Sequence, residues 1–333
     1  MSSTIVVGGF FGDEGKGKII SYLAMQDNPS VVVRGGAGPN AGHTIKEGDK
    51  VYKVRMLPSG FLNKNAKVMI GPGVVLNPDV LLKEIQDFGA DGRSFIDRNC
   101  GIIDEEHRNQ DSKGELKEKI GSTGSGTGPA NASRAMRTLR LAKDVDSLSN
   151  YLEDVPQVVN SALDSGKNVL IEGTQGTFLS LWHGTYPFVT SKDVTASGIC
   201  ADIGIGPKKV DEVIVVFKSY VTRVGTGPLA NELENDETEK RGWAEFGTVT
   251  GRPRRAADFD FTLAKRAIML NSASQIAITK LDVRFPDCEG KTSYDELSDE
   301  AKFFIKKIED ELGVPVTLLG TGPTVDDIID RRK

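Results

Sequence analysis

A mostly parallel α/β sheet flanked by helices on both faces is the fold class that the sequence predicts. Three observations predict it. Short β-rich apolar runs alternate with helical stretches along the chain, as parallel sheets with crossover helices require. Glycine-rich loops follow several of the strands, where open sheets gather ligands at their carboxyl edge. At 333 residues, 38% hydrophobic and 27% charged, the chain can bury a sizeable core without disulfides or metals.

The elements follow in order. A strand over Thr4 to Val7 runs into GGFFGDEGKGK at 8–18, and a helix over Lys18 to Ala24 follows, with Ile19, Ile20 and Leu23 near helical spacing. A second run, Ser30 to Val33, enters RGGAGPNAGHT at 34–44. Val68 to Ile70 enters Gly71-Pro72-Gly73, and Asn77-Pro78 caps and opens a helix over Asp79 to Phe88 that Gly89 stops. Later strands are expected at Asn168 to Ile171, Glu212 to Phe217, Gln275 to Thr279 and Val316 to Leu319. Helices are expected over Ser147 to Leu163, with a potential break at Pro156, over Asp260 to Leu270, and over Asp299 to Leu312. The last has Ala301, Phe304, Ile305, Ile308 and Leu312 on one side and Gly313 as its stop. Asn231 to Arg241 is a polar, mainly acidic run that reads as a solvated loop or helix end. With no repeat, low-complexity tract or linker, residues 1–333 read as a single domain with loop and helical insertions.

Composition excludes several classes of function. The formal charge of -5 argues against coating nucleic acid, while leaving room for a local basic site that takes a phosphorylated small molecule. No apolar run approaches the roughly 20 residues of a membrane helix. Cys100, Cys200 and Cys288 are far apart, form neither a zinc spacing nor a disulfide framework, and suit a reducing cytoplasm. The first residues lack the pattern of an export signal.

Six clusters carry chemistry. Gly12, Gly15 and Gly17 let backbone N–H groups approach an anion at a helix start, and Gly12-x4-Gly17-Lys18 is most of a P-loop. Ile19 stands where a hydroxyl should reach magnesium, so a standard P-loop is not expected. Asp13 could coordinate Mg²⁺, accept a proton, or do both, and Lys16 could meet a transferred phosphate. His43, amid small residues with Asn40, Gly42 and Thr44, could donate a proton to an oxygen gaining charge. GSTGSGTGP at 121–129 offers Thr123 and backbone donors, with Arg134 and Arg137 beyond it. Gln175, in EGTQGT, offers both a donor and an acceptor for a base. Arg252, Arg254 and Arg255 in TGRPRR suit carboxylates. TKLD at 279–282 places an acceptor, Asp282, where guanine N–H groups could pair, with the Lys280 stem across the base. For each cluster the alternative is an ordinary turn, a local hydrogen bond or a solvated charged loop.

Taken in order, GDEGKGK, NAGHT, STGSGTGPA, EGTQG with HGTYPFVTS, TRVGTGP, TGRPRR and TKLD resemble the adenylosuccinate synthetase family over nearly the whole chain, in its short archaeal form. The resemblance implies a P-loop-NTPase-like fold and condensation of IMP with L-aspartate, coupled to cleavage of GTP to GDP and phosphate, with Mg²⁺ as cofactor and GTP as co-substrate. It implies that Asp13 removes the N1 proton of IMP and helps bind Mg²⁺ together with the Gly42 carbonyl. His43 and Lys16 assist phosphoryl transfer to O6, and Gln175 belongs to the same centre. Gly12, Gly15, Gly17, Lys18, Gly42 and Thr44 surround GTP phosphates, while Lys280, Asp282, Gly320, Gly322 and Pro323 frame guanine. Asn40, Thr123, Gln175, Thr190 and Val224 contact IMP. By the same resemblance Arg137 would reach the IMP phosphate from the other subunit of a homodimer. Thr250, Arg252 and Arg254 recognise aspartate. Phe11 stands where relatives carry tryptophan. Two other readings compete: a related synthetase that joins aspartate to a guanine nucleotide but lacks the acidic base, and a noncatalytic GTP-binding switch. Arg252→Leu is expected mainly to weaken aspartate use, since a bidentate donor is lost. Steady-state kinetics with an unchanged aspartate dependence would reject that assignment.

Overall fold

The structure, a computed structural model, describes residues 3–113, 116–247, 251 and 253–332. Its strands come from runs rich in Val and Ile, because a parallel strand covered on both faces has no wet side for polar residues to mark. Ile5 to Val7, Val31 to Val33, Val169 to Ile171 and Val213 to Phe217 are such runs, and all are buried. They belong to a ten-stranded sheet that passes, edge to edge, through Ile328–Asp330, Val316–Gly320, Gln275–Thr279, Glu212–Lys218, Ser3–Gly8, Val169–Glu172, Val31–Arg34, Lys67–Ile70, Ser94–Asp97 and Leu152–Glu153. Neighbours are parallel except at the first edge, where Val316–Gly320 meets Ile328–Asp330 antiparallel. The first strand of the chain lies in the interior of the sheet, with Ile5 level with Ile171 on one side and Val213 on the other. Its carboxyl end is therefore where the strand order reverses, the place at which such sheets open a crevice for ligands.

Alternation along that strand divides the core. Ile5 and Val7 join a cluster with Val159, Ile199, Ile203, Ala264, Phe304 and Ile308, all from helices on one face. Val6 joins Ile19, Ile20 and Leu23 of the helix Lys16–Asp27 on the other. A separate cluster around Ile45, Phe61, Leu81 and Ile102 supports the loops beyond Val31–Arg34. Among the described residues no helix is long and apolar enough to cross a membrane.

The expected strands match the observed ones to about a residue at either end, and Asp299–Leu312 ends at a left-handed Gly313 as anticipated. The segment expected to be one helix from Ser147 is instead a 3-10 turn, Asp146–Tyr151, an edge strand, Leu152–Glu153, and a helix, Val155–Asp164. Pro156 lies in the first turn of that helix, where its missing N–H costs nothing, and Asp154 caps it by accepting from Gln157 N at 3.0 Å. Proline here begins a helix and does not break one. Helix Lys16–Asp27 starts two residues earlier than expected, from Gly15 in the left-handed conformation. The acidic run contains a short helix, Asn235–Lys240. Two antiparallel pairs, His43–Glu47 with Lys50–Val54 and Val221–Val224 with Arg254–Ala257, have no counterpart in the expectations.

Phe217 anchors the face below the first turn. Its ring packs on Phe10 at 4.7 Å and Phe259 at 5.6 Å, in the space that a side chain at Gly9 would need. Phe217→Ala is expected to cost about 3–5 kcal/mol of stability, measured by urea unfolding. A loss below about 1 kcal/mol would show that the aromatic cluster is not a keystone of this face.

Candidate active site

Three central strands end in charged residues that the fold buries: Arg34 on Val31–Arg34, Glu172 on Val169–Glu172 and Lys218 on Glu212–Lys218. A buried charge needs compensation: Arg34 donates to the Gly38 carbonyl at 3.3 Å and feels the charge of Glu172, and the other two are paired with side chains. Glu172 accepts from Ser59 N at 2.6 Å and Ser59 Oγ at 3.0 Å, and meets His43 Nδ1 at 2.8 Å. Burial alone would raise its carboxyl, but the hydrogen bond and charge of His43, with Arg34 nearby, hold it below the usual carboxylate range. His43 thus has Nδ1 committed to Glu172 and Ser59, which leaves Nε2 as the ring nitrogen for chemistry. Lys218 meets Glu245 Oε2 at 2.9 Å and donates to Thr222. Burial would raise Glu245 as well, but Lys218 and Arg254 bring it down to about 2.

Above these strand ends lies the turn at 8–17. Gly12, Asp13 and Gly15 have φ of 87°, 62° and 87°, so three of its residues are left-handed. Glu14 is buried beneath, accepting from Phe10 N at 3.0 Å and Gly12 N at 2.7 Å and pairing with Lys16 at 2.9 Å. Asp13 points away from this group and pairs with Arg254 Nε at 3.0 Å. A side chain at Gly17 would place its Cβ 2.7 Å from that of His43, so this glycine makes room for the histidine. Lys18 donates to the carbonyls of Gly322 and Asp327, each at 2.7 Å, and burial pushes its ammonium down to about 8. That lysine ties the turn to the last loop of the chain.

These loops surround a cavity of about 1140 Å³, larger than a single drug-sized ligand needs. Gly12, Asp13, Gly15, Lys16, Gly17 and Lys18 line one wall, and Gly42, His43 and Thr44 adjoin them. Asn40, Gln175 and Thr190 form a chain: Gln175 donates to Asn40 Oδ1 at 3.2 Å, and Asn40 donates to Thr190 Oγ1 at 3.3 Å. Thr123, bonded to Ser125 at 2.9 Å, and Val224 line the same cavity, as do Arg254, Lys280, Gly322 and Pro323. Arg223 stacks on Phe11 with its guanidinium carbon 4.3 Å from the ring centre. Three expected site residues lie off the lining. Arg137 is exposed at the end of helix Thr127–Met136. Gly320 ends its strand behind the Lys18 ammonium. Asp282 sits two residues beyond Lys280, with Oδ1 buried and unpartnered. Thr250 and Arg252 lie outside the described residues.

Asp13, Arg137, Gln175 and Lys280, all singled out in the sequence, are among the seven described non-glycine residues with positive φ. Such conformations cost energy and concentrate at functional positions. Sequence reasoning gave no role to Glu172, Ser59, Arg34, Lys218 or Glu245. A charged residue closing an otherwise apolar parallel strand is the signal that could have found three of them.

Hard oxygen donors are available for a magnesium ion at Asp13 and the Gly42 carbonyl, both on the cavity. Among the described residues no group of three or more His, Cys, Asp or Glu converges.

The sequence matches the family described as "Adenylosuccinate synthetase" over residues 5–147 and 138–286. It is 56% identical to the adenylosuccinate synthetase of Methanocaldococcus jannaschii over 336 aligned positions, covering 100% of this chain and 97% of that one. The enzyme of the same name from Methanosphaera stadtmanae is 52% identical, with 100% and 98% covered. Among solved structures, fully ligated adenylosuccinate synthetase from Plasmodium falciparum superposes with a TM-score of 0.91 at 29% identity, over 99% of both chains. The cyanophage S-2L succinoaminodeoxyadenylate synthetase bound to dGMP and dATP reaches 0.84 at 27% identity, over 100% of this chain and 96% of that one.

The geometry makes one prediction for stability. Glu172→Gln removes the carboxylate charge that most favours the buried Arg34 and the ionic partner of His43, and is expected to cost about 3–5 kcal/mol in urea unfolding at neutral pH. A change under about 1 kcal/mol would show that the network is not ionic in the folded protein.

Proposed function

The chain belongs to the adenylosuccinate synthetase family, and from that premise we propose how its cavity performs the ligation. The protein is a GTP-dependent IMP–aspartate ligase of purine biosynthesis. The observation that carries the residue-level reading is the meeting of Asp13, His43, and the Asn40, Gln175 and Thr190 chain on one cavity, although they come from separate loops.

In this reading Asn40, Thr123, Gln175, Thr190 and Val224 hold IMP, and the Gln175 amide, with a donor and an acceptor, orients the purine. Asp13 takes the proton from N1, so that electron density moves to O6. O6 attacks the γ-phosphorus of GTP in line, and GDP departs with the electrons of the broken P–O bond. His43 Nε2 hydrogen-bonds the transferring phosphoryl group, its ring held by Glu172 and Ser59. Lys16 has three N–H donors and spends one on Glu14, which leaves two for phosphate oxygens. The amino group of aspartate then attacks C6, phosphate leaves with the electrons of the C6–O bond, and the new nitrogen loses a proton. Phosphorylation comes first because the purine oxygen alone is a poor leaving group. Arg254, with Thr250 and Arg252, holds the carboxylates of aspartate. Asp13 and the Gly42 carbonyl would hold magnesium, which would supply neutralising charge at the phosphates.

Asp282 supports guanine as the base of the phosphate donor. Its buried Oδ1 has no partner among the described residues, and burial pushes its carboxyl up, as expected of an acceptor that lacks donors. The paired N–H donors of guanine would satisfy it, whereas adenine has no such pair. Gly320, Gly322 and Pro323 frame the same base, while Gly12, Gly15, Gly17, Lys18 and Thr44 surround the phosphates. The reading treats residues 1–333 as one domain, supported by a sheet that takes strands from Ser3 to Asp330. It makes the active unit a cytoplasmic homodimer: Arg137 is exposed and off its own cavity, which suits donation to the partner's IMP phosphate.

The test is to mix protein, IMP, L-aspartate, GTP and Mg²⁺ and quantify products by chromatography, omitting each reactant in turn and substituting dGMP or ATP. Adenylosuccinate, GDP and phosphate are expected in equal amounts, and product from dGMP with ATP alone would move the specificity to guanine nucleotides. Asp13→Asn and His43→Asn are each expected to lower turnover about 100-fold or more with the fold retained by circular dichroism. Near-wild-type turnover would defeat their roles.

A further inference from the structure

Four charged side chains from the cavity lining stand in a row, alternating in sign. Lys218 is 2% exposed at the end of its strand, and its ammonium meets Glu245 Oε2 at 2.9 Å. Glu245 contacts Arg254 through the same oxygen, and its other oxygen accepts from Tyr220 Oη at 2.5 Å. Arg254 completes the line at Asp13, 3.0 Å from Nε. The ends of the arrangement are firm. Tyr220 is buried and stacked on Trp243 at 4.4 Å with the rings 8° from parallel, and Arg254 N donates to Glu245 O at 2.9 Å.

Buried ion pairs seldom repay their desolvation, so a line of this kind is weak evidence for stability and better evidence that an orientation is being held. The orientation held here is that of Arg254. A guanidinium is planar, and here Nη1 donates to Glu245 while Nε lies 3.0 Å from Asp13 Oδ2 as an ion pair without a hydrogen bond, so the Glu245 contact is the one that fixes where the remaining donor edge faces. We propose that Glu245, anchored by Lys218 and Tyr220, is a positioning residue that orients Arg254 to receive the carboxylate of L-aspartate. The proposal rests on the reading of Arg254 as an aspartate ligand. Without the Glu245 charge, Lys218 would face Arg254 as an uncompensated like charge and push the guanidinium from its place.

The test is steady-state kinetics on the full-length protein, varying one substrate at a time. Glu245→Gln is expected to raise the KM for L-aspartate about tenfold or more, with the KM for IMP and for GTP within about twofold and kcat changed less than the aspartate KM. Tyr220→Phe removes one hydrogen bond to Glu245 and no charge, and is expected to raise the aspartate KM about threefold. It decides the matter if Glu245→Gln does not fold. Arg254→Leu is the control for the underlying reading and should raise the aspartate KM at least as much as Glu245→Gln. If Arg254→Leu does so and the other variants leave that KM within about twofold of wild type, the positioning role is wrong and the ligand assignment stands. If Arg254→Leu leaves the aspartate KM unchanged, the assignment falls and the proposal with it. A lowered aspartate KM in Glu245→Gln also overturns the proposal, because it would mean that Glu245 competes with the substrate for Arg254. A general rise in all three KM values does the same, since it would report damage to the pocket as a whole.

Discussion

Glu14 lies beneath the turn that joins the first strand to the first helix, and its carboxylate closes that turn from inside. It takes the N–H groups of Phe10 and Gly12 and the ammonium of Lys16, all within 3.0 Å. A backbone that curls around an anion in this way directs its next N–H groups and its neighbouring side chain outward. Asp13 is that side chain, held left-handed between Gly12 and Glu14 and facing the cavity. The packing has no slack. A Cβ on Gly8 would fall 2.4 Å from both the Gln175 carbonyl and the Glu14 carboxylate, which joins this turn to the one bearing Gln175. Asp13, the turn bearing Gln175 and the start of the first helix are thus joined at one contact.

The sheet supplies the second constraint. Parallel strands direct all their carboxyl ends to one edge, so the residues that close Val31–Arg34, Val169–Glu172 and Glu212–Lys218 meet there. Charges at these positions are buried and would be costly alone. They are matched instead: Glu172 answers Arg34 and His43, and Glu245 answers Lys218 and Arg254. The two groups stand on either side of the first strand, and each orients one cavity residue, His43 on one side and Arg254 on the other. The helix Lys16–Asp27 begins between them, its free N–H groups adding positive potential where phosphates would lie. Rigid strand ends, not loop side chains alone, therefore set the geometry of the chemistry.

Much of this was legible in the residues. Glycine stereochemistry, apolar runs and helix caps act over a few positions, so Gln275–Thr279, Asp299–Leu312 and the Asn77 cap could be read directly. The ordered motifs also named the cavity's walls, because a loop after a parallel strand has only one edge of the sheet to reach. Pro156 was misread because the same residue can open a helix or break one, and only the edge strand before it decides which. The hairpin that carries His43 escaped notice because its two strands alternate weakly and its register is made by pairing, not by either strand alone.

The sequence by itself determined the family, the fold class and most of the loops that line the cavity, since those rest on short-range patterns and their order. Tertiary structure alone decided the partners. Ser59 finds Glu172 across 113 positions, and Lys18 finds the Gly322 carbonyl across 304. Read in line, Arg254 stands out in its basic turn but Lys218 and Glu245 do not, and nothing joins the three. They become an orienting device only when the fold removes water from between them, because the strength of an ionic contact is set by its surroundings and not by its place in the chain.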